Sequence, residues 1–146
     1  MTRVFLDANV YFAGVVSEDG ASAFILHLAK RKKIVIFASK LVLREADRNL
    51  RKKTSSPIAK SFRRFLRDTK IKVAPAPGEE TLQEYESFIH PKDVPVLAFA
   101  IESKVDFFIT LDKKHFFVPA IISKVKKIRI ITPGDFIRDF YLKGKV

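Results

Sequence analysis

Val4-Phe5-Leu6-Asp7-Ala8-Asn9 opens the chain with a short apolar run that ends on an acid. Apolar residues in succession, without polar alternation, suit a strand buried on both faces. Phe107-Phe108-Ile109 repeats the pattern and runs into Thr110-Leu111-Asp112. Ile34-Val35-Ile36-Phe37 and Ile128-Arg129-Ile130-Ile131 are β-branched or aromatic runs of the same kind, and Ile71-Lys72-Val73 is a shorter one closed by Pro75 and Pro77. Amphipathic stretches lie between them. Ala21, Phe24, Ile25, Leu28 and Ala29 fall at helical spacing and lead into Lys30-Arg31-Lys32-Lys33, cations suited to a helix C-terminus. Ser39 is placed to cap a helix through about Leu50. Ser56-Pro57 reads as a capping hydroxyl with proline at the first helical position, followed by an apolar face of Ile58, Phe62, Phe65 and Leu66. Glu79 to Phe88 and Asp93 to Ser103 read as helices, the second with Pro95 in its first turn. Thr132-Pro133-Gly134-Asp135 opens a last helix through Tyr141.

Strands alternating with helices predict an α/β domain whose central sheet is mainly parallel and flanked by helices. No repeat or linker divides the sequence, so residues 1–146 are expected to form a single domain. In such folds ligands bind beyond the carboxyl ends of the strands, where the strand order reverses. The residues that follow each strand are therefore the ones to inspect.

Composition narrows the function classes. The 146 residues are 47% hydrophobic and 30% charged, which argues against disorder. With only 5 Gly and 7 Pro, collagen-like and low-complexity classes are excluded. The chain has 0 Cys, which removes disulfides, thiol nucleophiles and thiolate metal sites. Lys and Arg total 28 against 16 Asp and Glu, a formal charge of +12 that favours a polyanionic partner. No apolar run is long enough to span a bilayer, and Asp7 falls where a signal peptide would have to stay apolar. A cytoplasmic location, away from membranes, is the expectation.

Asp7 and Asp112 both follow predicted strands. Each taken singly is an ordinary helix-cap or turn residue; together on one sheet edge they form a candidate site. Asp93 shares a helical face with Leu97, Ala100 and Ile101, which places its carboxylate in line with apolar surface. A backbone amide or a cation must compensate it there. Glu45 and Asp47 lie at the two margins of the apolar arc of Leu41, Val42, Leu43, Ala46 and Leu50, and periodicity does not choose between them. Carboxylates that converge in a cleft repel one another, and a hard divalent cation, Mg²⁺ or Mn²⁺, resolves the conflict with oxygen ligands alone. Acids that hold a metal inside a strongly basic protein are what a nuclease needs; a pure nucleic-acid binder gains nothing from them.

The chain resembles the PIN-domain family, and within it the VapC-like toxins of toxin–antitoxin systems. The residues that carry the likeness are Phe5-Leu6-Asp7-Ala8-Asn9-Val10, Glu45, Asp93-Val94-Pro95-Val96-Leu97-Ala98-Phe99-Ala100, Phe108-Ile109-Thr110-Leu111-Asp112-Lys113-Lys114-His115-Phe116, and a closing Ile131-Thr132-Pro133-Gly134-Asp135-Phe136. Each motif is weak by itself; the ordered set spans the chain. The resemblance implies a PIN-like three-layer fold and Mg²⁺-dependent hydrolysis of RNA. It matches Asp7, Glu45, Asp93 and Asp112 to the family's four acids, and so prefers Glu45 to Asp47. Asp7, Asp93 and Asp112 would hold one or two ions, Glu45 would ligate or orient a water, and Asn9 and Thr110 would hydrogen-bond the carboxylates. Attack by water with departure of the 3′ oxygen leaves a 5′-phosphate. An antitoxin partner and a homodimer built through helical faces are also implied.

The remaining residues carry plainer expectations. Lys113 and Lys114 flank Asp112 and are the candidates for RNA contact. Lys60, Arg63, Arg64 and Arg67 are equally a phosphate-binding or a solvated helix face; Arg44, Arg48 and Arg51 neighbour Glu45; Lys124, Lys126 and Lys127 read as solubilising. His27, His90 and His115 show no ligand-pair spacing and are expected to be structural or surface residues, with no zinc site. Gly-rich phosphate loops and Gly-x-Ser-x-Gly elbows are absent from the sequence. The competing readings are a non-catalytic RNA- or protein-binding module on the same fold, and a nuclease of RNA processing or of DNA.

Overall fold

The computed structural model describes residues 1–145. Strand β1 (Arg3–Leu6) leads into helices α1 (Ala8–Val16) and α2 (Ala21–Lys30). Strand β2 (Val35–Ala38) is followed by α3 (Lys40–Lys53) and α4 (Ser56–Asp68), and the short β3 (Lys72–Val73) by α5 (Glu79–Tyr85) and α6 (Val94–Glu102). Strand β4 (Phe107–Ile109) precedes two short helices, α7 (Lys113–Phe116) and α8 (Pro119–Lys124); β5 (Arg129–Ile131) precedes α9 (Pro133–Phe136), which continues into a π-helical turn over Ile137–Tyr141.

The five strands are all parallel, in the order β3-β2-β1-β4-β5. Val4, Phe5 and Leu6 lie opposite Phe107, Phe108 and Ile109, and both runs are buried on both faces. The alternation of the pleat divides the phenylalanines. Phe108 packs edge-on against Phe5 and against Phe116 of α7, while Phe107 packs against Phe136 and Phe140 on the other face. With no Trp available, these rings fill the two layers between sheet and helices. The edge strand β3 is exposed at both residues and carries Lys72, which discourages pairing with another chain.

The predicted strands and most predicted helices occur within two or three residues of their expected ends. Ser39 does cap α3, accepting a hydrogen bond from the Val42 amide at 3.1 Å, and Thr132 caps α9 through the Asp135 amide at 3.2 Å. The start of α4 differs from expectation. Ser55, not Ser56, occupies the cap position, its side chain makes no capping bond, and Pro57 follows the first helical residue. Helix α1, which the pattern of the sequence did not reveal, contains a single polar residue, Asn9, because α2, α3 and α4 all pack against it. A helix surrounded on so many sides shows no polar stripe. Gly14 permits part of this packing: a Cβ there would lie 2.6 Å from Cδ1 of Leu26.

Sheet order fixes the site. Chain progression moves from β1 to β2 and β3 on one side and to β4 and β5 on the other, so the order reverses at the β1–β4 boundary. The carboxyl ends of β1 and β4 are therefore adjacent, and the Asp7 amide donates to the Ile109 carbonyl at 3.0 Å.

Candidate functional site

Beyond these two strand ends lies a cleft of about 690 Å³. Asp7, Glu45, Asp93 and Asp112 all line it. Four separate elements deliver them: Asp7 ends β1, Glu45 stands on α3, Asp93 precedes α6, and Asp112 follows β4.

The cap reading of Asp7 and Asp112 and their place in the cleft turn out to be compatible. Asp7 Oδ1 accepts from the Ala8 amide at 2.8 Å, and Oδ2 accepts from the Thr110 hydroxyl at 2.7 Å. Asn9 Nδ2 donates to the same Oδ2 at 3.3 Å, and Asn9 Oδ1 accepts from the Leu111 amide at 3.1 Å. Thr110, fully buried, also accepts from the Asp112 amide at 3.0 Å. These bonds tie the end of β1 to the end of β4, so Asn9 and Thr110 hold the acids in register. Asp112 Oδ1 in turn accepts from the His115 amide at 3.1 Å, capping α7.

Asp93 behaves differently. It sits at the cap position of α6, yet its side chain bonds none of the helix amides. Its Oδ2 is shielded from solvent and receives no hydrogen bond. The nearest cation-capable atom is His115 Nδ1 at 3.3 Å, and that nitrogen is hydrogen-bonded to Asp112 Oδ2 at 2.8 Å.

The charged forms of Asp7 and Asp93 are disfavoured. Burial pushes the Asp7 carboxyl up to about 6 against the lowering effect of its hydrogen bonds from Thr110 and Ala8, and the nearby Glu45 and Asp93 charges add to the rise. Burial likewise raises Asp93; Asp112 reinforces the shift, while His115, His90 and Lys92 oppose it. Mutually repelling carboxylates, Asp7 buried and the others half-buried, with an orphaned oxygen among them are a donor set suited to a divalent cation. Donor atoms of Asp93, Asp112 and His115 lie within 4.8 Å of one another, close to what a single ion spans.

Glu45 and Asp47, equivalent by periodicity, part company here. Glu45 faces the cleft, whereas Asp47 pairs with Arg51 at 2.9 Å and with Arg63 of α4 at 3.2 Å, outside it. Leu41, expected in the apolar arc, is exposed and lines the cleft with Phe12, Pro95 and Val96. The cations of the cleft wall are Arg48, Lys53 and Lys92. Lys113 and Lys114 are exposed on α7 outside that lining.

Sequence reasoning assigned the histidines to structure or surface. The structure stacks His90 on His115, ring centroids 5.5 Å apart, and sets the half-exposed His115 between two of the acids, a placement that the expectation of a structural or surface residue did not include. The signal available was the i, i+3 spacing of Asp112 and His115 across the first turn of a helix, but α7 is only 4 residues long and its pattern is too short to read.

The comparisons with known proteins agree with the topology. A family model described as PIN domain matches residues 3–114. Curated proteins give no significant sequence match. Among solved structures, VapBC2 from Rickettsia felis, bound to a DNA fragment from its promoter, is similar with a TM-score of 0.65 at 18% identity over 90% of this chain and 98% of that one. VapC20 of Mycobacterium tuberculosis, a toxin that cleaves the sarcin–ricin loop, is similar with a TM-score of 0.58 at 15% identity, over 86% of this chain and 98% of that one. A protein of Pyrobaculum aerophilum gives a TM-score of 0.58 at 20% identity, over 94% of this chain and 88% of that one. At such identities these likenesses establish the fold.

Proposed function

The chain belongs to the PIN domain family, and on that premise we propose that it is a divalent-cation-dependent endoribonuclease, the toxin of a toxin–antitoxin pair. The observation that carries the reading is the meeting of Asp7, Glu45, Asp93 and Asp112 in one cleft, with an orphaned Asp93 oxygen facing His115, in a protein of charge +12.

Asp7, Asp93 and Asp112 are the residues to hold Mg²⁺ or Mn²⁺. When bound, such an ion lowers the pKa of a water and neutralises charge that builds on the scissile phosphate. Glu45, across the cleft, orients the attacking water and takes its proton. Thr110 and Asn9 fix Asp7 through the hydrogen bonds described above, so the ligand oxygen is held rather than searching for its position. Arg48, Lys53 and Lys92 are placed to hold phosphates of the polymer, with Lys113 and Lys114 as further contacts along the exposed side of α7. Lys53 lies over the Phe12 ring, 5.9 Å from its centroid, which keeps its ammonium beside the apolar part of the wall where a base can rest. Water oxygen bonds to phosphorus, the bond to the 3′ oxygen breaks, the departing oxygen takes a proton from solvent, and the products are a 5′-phosphate and a 3′-hydroxyl.

RNA as substrate is supported by the sarcin–ricin-loop activity of one structural neighbour, and an acidic antitoxin by the VapBC2 assembly of another and by the basic surface here. The test is incubation of purified protein with RNA in Mn²⁺, in Mg²⁺ and in EDTA, beside an Asp93→Asn preparation. The reading expects cleavage that both EDTA and the substitution abolish. Equal cleavage by wild type and variant would overturn it.

A further inference from the structure

His115 brings a nitrogen donor up to two of the carboxylates of the cleft. It stands three residues after Asp112, and the hydrogen bond from its own amide to Asp112 Oδ1 turns the other oxygen of that carboxylate toward the ring, 2.8 Å from Nδ1. The Asp93 oxygen that lacks any hydrogen bond lies 3.3 Å from the same nitrogen. His90 stacks against the imidazole at an interplanar angle of 29°, and accepts a hydrogen bond from the Lys92 amide at 3.2 Å, which fixes the stacking partner in turn. The imidazole is thus held with one nitrogen aimed at the two carboxylates. One donor atom from each of the three side chains lies within 4.8 Å of the other two. With ligand distances of about 2.0–2.2 Å, shifts of a few tenths of an ångström close this set onto one ion.

Resting on the reading of the cleft as a cation-dependent nuclease site, we propose that His115 Nδ1 is itself a metal ligand, forming with Asp93 and Asp112 a mixed oxygen–nitrogen set that selects Mn²⁺ over Mg²⁺. Mg²⁺ is a hard ion that demands oxygen ligands and keeps its waters, whereas a nitrogen donor favours first-row transition ions, of which Mn²⁺ is the one that also suits carboxylates and water. As a ligand, Nδ1 would have to be free of a proton, so where it is the donor to Asp112 that hydrogen bond would be given up and its proton released to solvent. A histidine that merely oriented the two acids would leave the choice of ion unchanged.

Pulsed electron paramagnetic resonance of the Mn²⁺-loaded protein separates ligation from orientation, because a coordinated imidazole imposes ¹⁴N modulation on the manganese signal. The modulation is expected in wild type and in His90→Gln and absent in His115→Gln. Calorimetric titration should show a loss of about tenfold in Mn²⁺ affinity in His115→Gln with Mg²⁺ affinity little changed. Should His115→Gln fail to fold by circular dichroism, ¹⁵N-histidine labelling of wild type supplies the readout: the modulation must change with the isotope. Bound Mn²⁺ without nitrogen modulation, or modulation lost in His90→Gln alone, overturns the proposal and leaves the nuclease reading standing. Failure of the wild type to bind either ion overturns both.

Discussion

Asp7 holds the most unfavourable position for a charge in the cleft, and its titration is a test of that. Its carboxyl sits near 6 in the folded chain against an ordinary 3.8, chiefly through burial. The native state therefore keeps this proton more tightly than the unfolded chain does. Below the ordinary value both states are protonated and stability is undiminished; as pH rises through about 6 the native state must ionise a buried group and loses up to about 3 kcal/mol. Asp93 shifts in the same direction for the same reason. Urea denaturation in EDTA should thus show Asp7→Asn gaining on wild type as pH rises from about 4 to about 7; a constant difference between the two would deny the burial penalty. A divalent cation competes with that proton. Mg²⁺ or Mn²⁺ should raise the wild-type melting temperature more at about pH 7 than at about pH 4.5, and by less in Asp93→Asn.

Helix α3 separates two acids that its own sequence leaves equivalent. Glu45 and Asp47 flank the same buried stripe of Val42, Ala46 and Leu50, and only the packing of α4 on one side and the cleft on the other distinguishes them. Glu45→Gln is expected to lower cleavage at least ~10²-fold with little change in stability, and Asp47→Asn to leave cleavage intact and cost under about 1 kcal/mol, since its arginine partners are exposed. RNA-cleavage rates and urea midpoints on the two variants check both halves. Caps give a second contrast. Ser39→Ala should cost about 1 kcal/mol because it deprives the Val42 amide of its acceptor, while Ser56→Ala should cost nothing through capping. Equal losses at the two positions, read from urea midpoints, would contradict the assignment of Ser39 as the working cap.

The surplus of 28 cations over 16 acids gives the molecule as a whole a field that favours a polyanion, whereas the cleft wall offers Arg48, Lys53 and Lys92 in particular. RNA affinity should therefore fall steeply with added salt, and Lys92→Ala should reduce the slope of log K against log salt by about 0.7 if that lysine meets a single-stranded phosphate. Fluorescence anisotropy across a salt series measures it, and an unchanged slope would remove Lys92 from the interface. The sequence by itself determined the parallel α/β class, the five strands and the acids that end two of them, because apolar runs and turn residues act through their nearest neighbours along the chain. It left α1 invisible, since a helix packed by three others has no polar stripe to betray it. Tertiary structure alone decided that β1 and β4 lie side by side and that His115 stands between Asp93 and Asp112, and it set Glu45 toward their ends and Asp47 away from them, a choice that the family resemblance favours and periodicity leaves open. Each of those depends on hydrogen bonds and packing between segments far apart in the chain, and local periodicity carries no information about which segments will meet.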